Sequence, residues 1–202
     1  MSVNLKSVNA KAPFMKTAYK MLVVVLASIL IIFIFRGPLY RCFFRYEKCG
    51  ERQSYSVTSV LLKEYIDSVA GIKRIESVEQ IVELSHEITS DQLSFQASRS
   101  EINPNKLFPN NSTHCVGYSA FYTVVCNYLL KQNGFADSFQ CRAYCGQIHF
   151  LGYNVHSLFD SAFFADHDFN CIQNASGYEK YFTDPTLYDY LGIAYVSPFS
   201  TQ

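Results

Sequence analysis

The chain of 202 residues contains no tryptophan and no excess of either charge, since 17 lysines and arginines balance 17 acidic residues. A neutral chain has no long-range field that would favour nucleic acid or an acidic partner. No internal repeat and no low-complexity segment is present, which excludes repeat architectures and compositionally disordered proteins. The length fits one domain with a real core, plus a tail.

Seven cysteines are an odd and fairly high number for this length. Outside the cytosol they allow up to three disulfides and one free thiol, whereas in the cytosol all seven can be reduced core residues. The sequence leaves both alternatives open at this point, and the apolar segment described next favours export.

An uninterrupted apolar run extends from Met21 to Phe35 and ends at Arg36. With its flanking residues it is long enough to span a membrane, and no small-residue cleavage site follows it. We therefore expect an uncleaved transmembrane signal anchor over 21–40, after an N-terminal tail over 1–20. Basic residues are nearly balanced on the two sides, so the expected orientation, with the following domain exported to the periplasmic or extracellular side, depends on the cysteine count.

The remaining chain divides into a juxtamembrane linker over 41–53 and one domain over 54–202. The first half of the domain has helical periodicity, with a capping-box start at Ser77, and the second half is rich in aromatic and β-prone residues. Helices followed by an antiparallel sheet predict an α+β domain. The predicted strands are Phe139–Gly146, Ile148–Phe159 and Tyr178–Thr183, with a polar connection over 164–177.

A cysteine opens the most apolar helical stretch of the domain. Apolar side chains recur every three or four residues after Cys115, Ser112 or Thr113 is placed to cap the helix, and Gly134 is placed to end it. The positive end of the helix dipole favours a thiolate in the first turn, and a thiolate is a nucleophile. The question is which side chains supply a base.

The order Cys115-Val-Gly-Tyr, His156 in a predicted strand and Asp184-Pro-Thr after the next strand resembles the core of the transglutaminase-like superfamily. That family has a papain-like fold with Cys, His and Asp on a helix and two adjacent strands, and the resemblance covers roughly residues 110–192. It implies a catalytic triad of Cys115, His156 and Asp184 with neither cofactor nor metal. An aromatic residue, often tryptophan, commonly follows the histidine by two positions in the family; here that residue is Leu158.

The resemblance implies a membrane-anchored thiol enzyme that acts on peptide or carboxamide bonds of a protein or peptide substrate through a thioester. His156 would transfer the proton, and Asp184 would orient the imidazole. The absence of tryptophan to cover an acyl-enzyme favours hydrolysis, as in a protease or deamidase, over cross-linking. The expected partners are the substrate and, through 21–40, the membrane, with no nucleic acid.

Other interpretations of the same residues remain open. The domain could be a catalytically degenerate, membrane-anchored peptide-binding or envelope protein on the same fold. A zinc site is a second alternative, although paired two-residue cysteine knuckles are missing. Its four ligands would be Cys141, Cys145, His149 and Cys171. The acids nearby that could replace Asp184 are Asp160, Asp166 and Asp168.

Overall fold

The computed structural model of the chain describes residues 11–98 and 100–199. Its seven α-helices are α1 (Lys11–Ile34), α2 (Arg36–Phe43), α3 (Val60–Ala70), α4 (Val78–Gln92), α5 (Pro104–Asn110), α6 (Cys115–Gln132) and α7 (Pro185–Leu191). The strands are β1 (Phe44–Glu51), β2 (Ser94–Phe95), β3 (Ser112–Thr113), β4 (Phe139–Phe150), β5 (Tyr153–Asn154), β6 (His167–Asn174) and β7 (Glu179–Thr183). Two short 3₁₀ helices, Val155–Leu158 and Ala162–Phe164, lie between β5 and β6.

The apolar N-terminal run is helical, as expected. Residues Thr17–Ile34 have a mean hydropathy of 2.4, none of them is buried, and they form the one helix in the described residues that is long and apolar enough to cross a membrane. Of the expected tail over 1–20, residues 1–10 lie outside the described residues, and residues 11–20 already belong to α1, which begins at Lys11.

The domain is α+β, with helices packed against a mostly antiparallel sheet. The strand order is β1-β4-β6-β7, and β5 pairs with the end of β4. The largest core cluster lies between this sheet and helices α4 and α6, where Phe121, Tyr122 and Leu129 are almost fully buried. A second cluster on the opposite face contains Tyr46 and Phe169.

The expected linker over 41–53 is instead part of the fold. It contains the end of α2 and the whole of β1, which pairs antiparallel with β4 from Phe44↔Phe150 to Glu51↔Tyr144. Tyr46 is the one buried side chain of this edge strand, so the segment lacks the alternation that marks a strand in sequence. The folded domain therefore begins before residue 54, at the exit of the apolar helix.

Two strand predictions need correction in the region that positions the site. β4 runs unbroken through Gly146 to Phe150, and the chain then turns at Leu151 and Gly152, both with positive φ (50° and 87°). Because of this turn, the predicted strand over 148–159 ends early, and residues 155–158 form a 3₁₀ helix. Conversely, the segment predicted as a polar connection contains β6, which pairs with both β4 and β7.

Helix boundaries follow the sequence signals more closely. Ser77 caps α4, and its hydroxyl accepts a hydrogen bond from the Gln80 N–H. After α6, Gly134 has a φ of 76°, which is the left-handed stop that was expected. The cap at the start of α6 differs: His114, rather than Ser112 or Thr113, occupies the N-cap position.

Candidate active site

Cys115 is the first residue of α6 and is partly exposed to solvent. The preceding His114 has an extended backbone, and its Nδ1 accepts the Val116 N–H at 3.3 Å. Partial burial lowers the pKa of His114, which keeps its ring neutral and able to accept this bond. Cys115 therefore lies in the first turn, whose leading N–H groups have no acceptor within the helix itself.

Gly117, two residues after Cys115, is required for steric reasons. A Cβ atom on Gly117 would lie 1.9 Å from the Thr113 Oγ1, so only glycine lets β3 pass this closely under the helix start. Thr113 is fully buried, and its hydroxyl donates to the Glu101 carbonyl at 2.9 Å. The Cys-x-Gly spacing thus fixes the loop that presents Cys115.

Asp184 follows β7 and caps α7. Its Oδ1 accepts the Leu187 N–H at 3.0 Å, and the next residue, Pro185, occupies the first helical position, where no N–H is needed. The carboxylate is 1% exposed, and its Oδ2 accepts from the Tyr46 hydroxyl at 2.9 Å. The predicted Asp-Pro boundary is therefore a buried, fully bonded carboxylate at a helix start.

The histidine that meets this carboxylate is His167, the first residue of β6. Its Nε2 lies 2.7 Å from Asp184 Oδ2, and its side chain is 19% exposed. Burial by itself would lower the pKa of His167, but the charge of Asp184 and hydrogen bonds with Asp184 and Cys115 raise it well above its ordinary value. For Asp184, burial would raise the pKa, but His167 and the other donors lower it. The pair is thus a carboxylate and an imidazolium.

His156 lies elsewhere, and the structure does not bring it to Asp184. It belongs to the 3₁₀ helix after the turn at Gly152, and its Nδ1 is 2.7 Å from the Phe164 carbonyl. The side-chain bonds that Asp184 accepts within the described residues come from Tyr46 and His167 instead. Of the three predicted site residues, Asp184 is hydrogen-bonded to His167, and Cys115 is near enough to this ring to contribute to its raised pKa.

Sequence reasoning missed His167 because its segment was classed as a polar loop. A signal was present: His167, Phe169 and Cys171 alternate with Asp168, Asn170 and Ile172, which is the period of a strand buried on both faces. The polar side chains of this strand turn into the fold: the Asn170 amide nitrogen donates to the Ser119 carbonyl and the Thr123 hydroxyl of α6, while its buried Oδ1 has no partner among the described residues. The polar composition of this segment therefore led to a predicted loop where the structure has the central strand β6.

The alternative acids have other partners or positions. Asp168 is fully buried and binds Arg52 through two hydrogen bonds, at 2.9 and 2.7 Å. Asp166 accepts from the Cys145 thiol at 3.3 Å, and Asp160 is exposed. None of these three carboxylates contacts the His167 ring by a hydrogen bond in the described part of the chain, whereas Asp184 does.

The four residues of the zinc alternative do not converge. Cys141 is in the core cluster beneath α6, whereas Cys171 belongs to the cluster on the opposite face of the sheet. His149 Nε2 lies 2.8 Å from a Glu47 carboxylate oxygen. Among residues 11–98 and 100–199, no group of three or more His, Cys, Asp or Glu side chains is placed to hold a metal ion. All seven cysteines are free thiols.

The candidate site consists of Cys115, His167 and Asp184. Because the His167 Nε2 is bound to Asp184, its Nδ1 is the nitrogen left for Cys115, and the interaction with Cys115 contributes to the raised pKa of the ring. An imidazolium held in this way can stabilise a neighbouring thiolate and give its proton to a leaving group. No protein-family model, curated protein or solved structure matched the chain.

Proposed function

We propose that this protein is a membrane-anchored thiol enzyme of transglutaminase-like type, which attacks peptide or carboxamide bonds through a Cys115–His167–Asp184 triad. The observation that carries the proposal is the 2.7 Å contact between His167 and the buried Asp184, on a ring whose pKa is also raised by the partly exposed, helix-start Cys115. A nucleophile, a base within reach and a third group that orients the base are the signature of an activated thiol.

The replacement of His156 by His167 strengthens the resemblance that the sequence suggested. Asp184 follows the strand next to the one that starts with His167, so the order helix, strand, adjacent strand is retained. The aromatic residue expected two positions after the histidine is also present, as Phe169, which is fully buried with its ring against Tyr46. With His156 the same position was the exposed Leu158.

The proposed reaction has two halves. The Cys115 thiolate, whose proton is already on the His167 ring, bonds to the carbonyl carbon, and His167 gives that proton to the departing amine or ammonia as the C–N bond breaks. Water, which gives a proton to the now neutral His167, attacks the resulting thioester; the C–S bond breaks, the acid departs, and the thiolate is left beside the imidazolium. Asp184 keeps the imidazolium oriented and balances its charge. The Cys115 backbone N–H, in the free first turn, is the oxyanion donor on this chain.

Hydrolysis is favoured over cross-linking because the chain contains no tryptophan to cover the thioester, and because Cys115 is partly open to water. We propose a protease or deamidase that acts on a protein or peptide. The apolar α1 would anchor it, with the domain on the exported side of the membrane.

Alkylation of Cys115 by iodoacetamide in the full chain tests the pair directly. In the parent, Cys115 should react rapidly near pH 7. His167→Ala should slow this reaction by about 10- to 30-fold, because an ordinary thiol is only about 3% ionised at that pH. His156→Ala is the matched control and should react like the parent. Mass spectrometry of the Cys115 peptide separates this thiol from the other six.

Turnover is measured as new amino termini and ammonia released from a peptide mixture rich in glutamine and asparagine. Cys115→Ala should abolish both, since no acyl intermediate can form. If alkylation in the parent and in His167→Ala follows the same pH curve, the two residues are not coupled and the catalytic proposal fails. Peptide binding that survives all these substitutions, without turnover, would instead identify a degenerate binding module.

A further inference from the structure

A chain of hydrogen bonds enters the site from the side of the apolar helix. The Tyr46 hydroxyl, on a side chain that is 1% exposed, lies 2.9 Å from Asp184 Oδ2. The Tyr40 hydroxyl lies 2.8 Å from the Tyr46 hydroxyl. Tyr46 belongs to β1 and Tyr40 to α2, and neither residue is one of the proposed triad.

The direction of these bonds is fixed by chemistry. A carboxylate only accepts, so Tyr46 uses its single proton on Asp184, and its oxygen then accepts the proton of Tyr40. Burial and the nearby Asp184 charge raise the pKa of Tyr46 well above its ordinary value, and burial likewise raises that of Tyr40. Both hydroxyls therefore remain donors across the neutral range. Asp184 Oδ2 receives two protons at once, one from Tyr46 and one from His167.

Helix α2 is also fixed at the other end of α7. The Arg36 guanidinium, at the first residue of α2, donates to the carbonyls of Leu191 and Gly192, where α7 ends. Asp184 caps the start of α7. Helix α2 therefore contacts the end of α7 directly, through Arg36, and is linked to its start indirectly, because Tyr40 of α2 bonds to Tyr46 and Tyr46 bonds to Asp184. One residue, Phe35, separates α2 from the apolar helix α1. The geometry of the carboxylate is thus tied to the segment that leaves the membrane helix.

We propose that Tyr46 is a positioning residue of the Cys115–His167–Asp184 site, and that Tyr40 extends this support to the juxtamembrane helix α2. The hydroxyl of Tyr46 holds Asp184 Oδ2 at the His167 ring and favours the charged carboxylate. The effect of Tyr46 on Asp184 does not depend on the proposed function, whereas the effect of Tyr46 on Cys115 rests on the proposed thiol chemistry.

The test is an NMR titration of the Asp184 carboxyl group in the full chain in detergent micelles, for the parent, Tyr46→Phe and Tyr40→Phe. Loss of a hydrogen bond to a charged group disfavours the charge, so Tyr46→Phe should raise the midpoint of Asp184 by about one pH unit. Tyr40→Phe should give a smaller shift in the same direction. Tyr128→Phe removes another tyrosine–aspartate bond, to Asp67 at 2.6 Å, and should leave Asp184 unchanged.

Alkylation of Cys115 gives a second, separate readout. When Asp184 becomes protonated, the His167 cation loses its counter-charge, so the acid limb of the alkylation profile should move to higher pH in Tyr46→Phe. An unchanged Asp184 midpoint in Tyr46→Phe would overturn the proposal. If that variant does not fold, Tyr40→Phe decides, and an unchanged midpoint there overturns it. A shifted midpoint in a protein whose Cys115 is insensitive to His167 would uphold the positioning role and reject the enzyme.

Discussion

Replacement of Asp184 by alanine is the substitution with the largest expected effect on the folded state. The carboxylate accepts hydrogen bonds from the Leu187 N–H, the Tyr46 hydroxyl and the His167 ring, and all three donors lose their acceptor together. Loss of the helix cap costs about 1 kcal/mol, and each buried donor left unpaired costs about 1–3 kcal/mol. These terms overlap, and water reaches part of the His167 ring. We therefore expect the free energy of unfolding to fall by about 3–5 kcal/mol, the range for breaking a buried ion pair.

Asp184→Asn separates the cap from the charge. An asparagine still accepts the Leu187 N–H at the N-cap but presents an NH2 donor to Tyr46 and His167 in place of Oδ2, so it should cost less than alanine by the cap alone, about 1 kcal/mol. Chemical unfolding of the full chain in detergent micelles, followed by near-ultraviolet circular dichroism of the tyrosines, measures both variants. A loss below about 1 kcal/mol for Asp184→Ala would refute the inference that this carboxylate is an essential acceptor.

The pH dependence of the same measurement gives a signed check. The lowered pKa of Asp184 means that its contribution is present above the unfolded value, about 3.9, and is lost as the pH falls through the folded value. The raised pKa of His167 means that its contribution is present below about 6.5 and is lost as the pH rises through the folded value. The difference in stability between parent and Asp184→Ala should therefore be largest between about pH 4 and 6.5. A difference that is constant from pH 3 to 9 would contradict the ion pair.

Three further predictions concern the scaffold. Deletion of residues 1–34 should give a soluble domain with the melting temperature of the parent. Deletion of 1–43 should lower the melting temperature, because it also removes α2. Equal melting curves for the two truncations would show that α2 does not contribute to the stability of the domain. Gly146→Ala should cost at least about 1–3 kcal/mol in urea unfolding, because its Cβ would lie 2.2 Å from a backbone oxygen of β1, while the open position Gly50 should accept alanine with little change. Arg52→Met should cost about 2–3 kcal/mol near neutral pH, because it leaves a fully buried carboxylate unpaired. That loss should shrink in acid, where the carboxylate becomes neutral, and a loss independent of pH would contradict this cause.

Local signals in the sequence were sufficient for several elements. The apolar run, the Ser77 cap and the Gly134 stop are each set by residues within one or two helical turns, and each is confirmed. The α+β order follows from the change of periodicity along the chain, which is also local. Cys115 lies in the first turn of α6 and Asp184 directly follows a strand, as predicted, because both positions are set by the few residues around them. The helix α7 that Asp184 caps was not predicted.

The choice of histidine was decided by tertiary structure. His156 and His167 are eleven residues apart; the first lies in a segment predicted as a strand and the second in one predicted as a polar connection, so the local pattern favoured His156. The turn at Gly152 ends β4 before His156, while pairing with β4 and β7 makes a central strand of the segment that begins at His167. Register between strands is a long-range property, and it sets which side chain reaches Asp184.

The edge strand β1 was missed for the same physical reason. Only Tyr46 is buried in it, and that one side chain is stabilised by β4, Asp184 and Tyr40, none of which is its neighbour in a regular local pattern. The sequence by itself determined the start of α4 at Ser77 and which thiol lies at a helix start. Tertiary structure determined which base and which hydroxyl meet the carboxylate, because hydrogen bonds across strands depend on how distant segments pack.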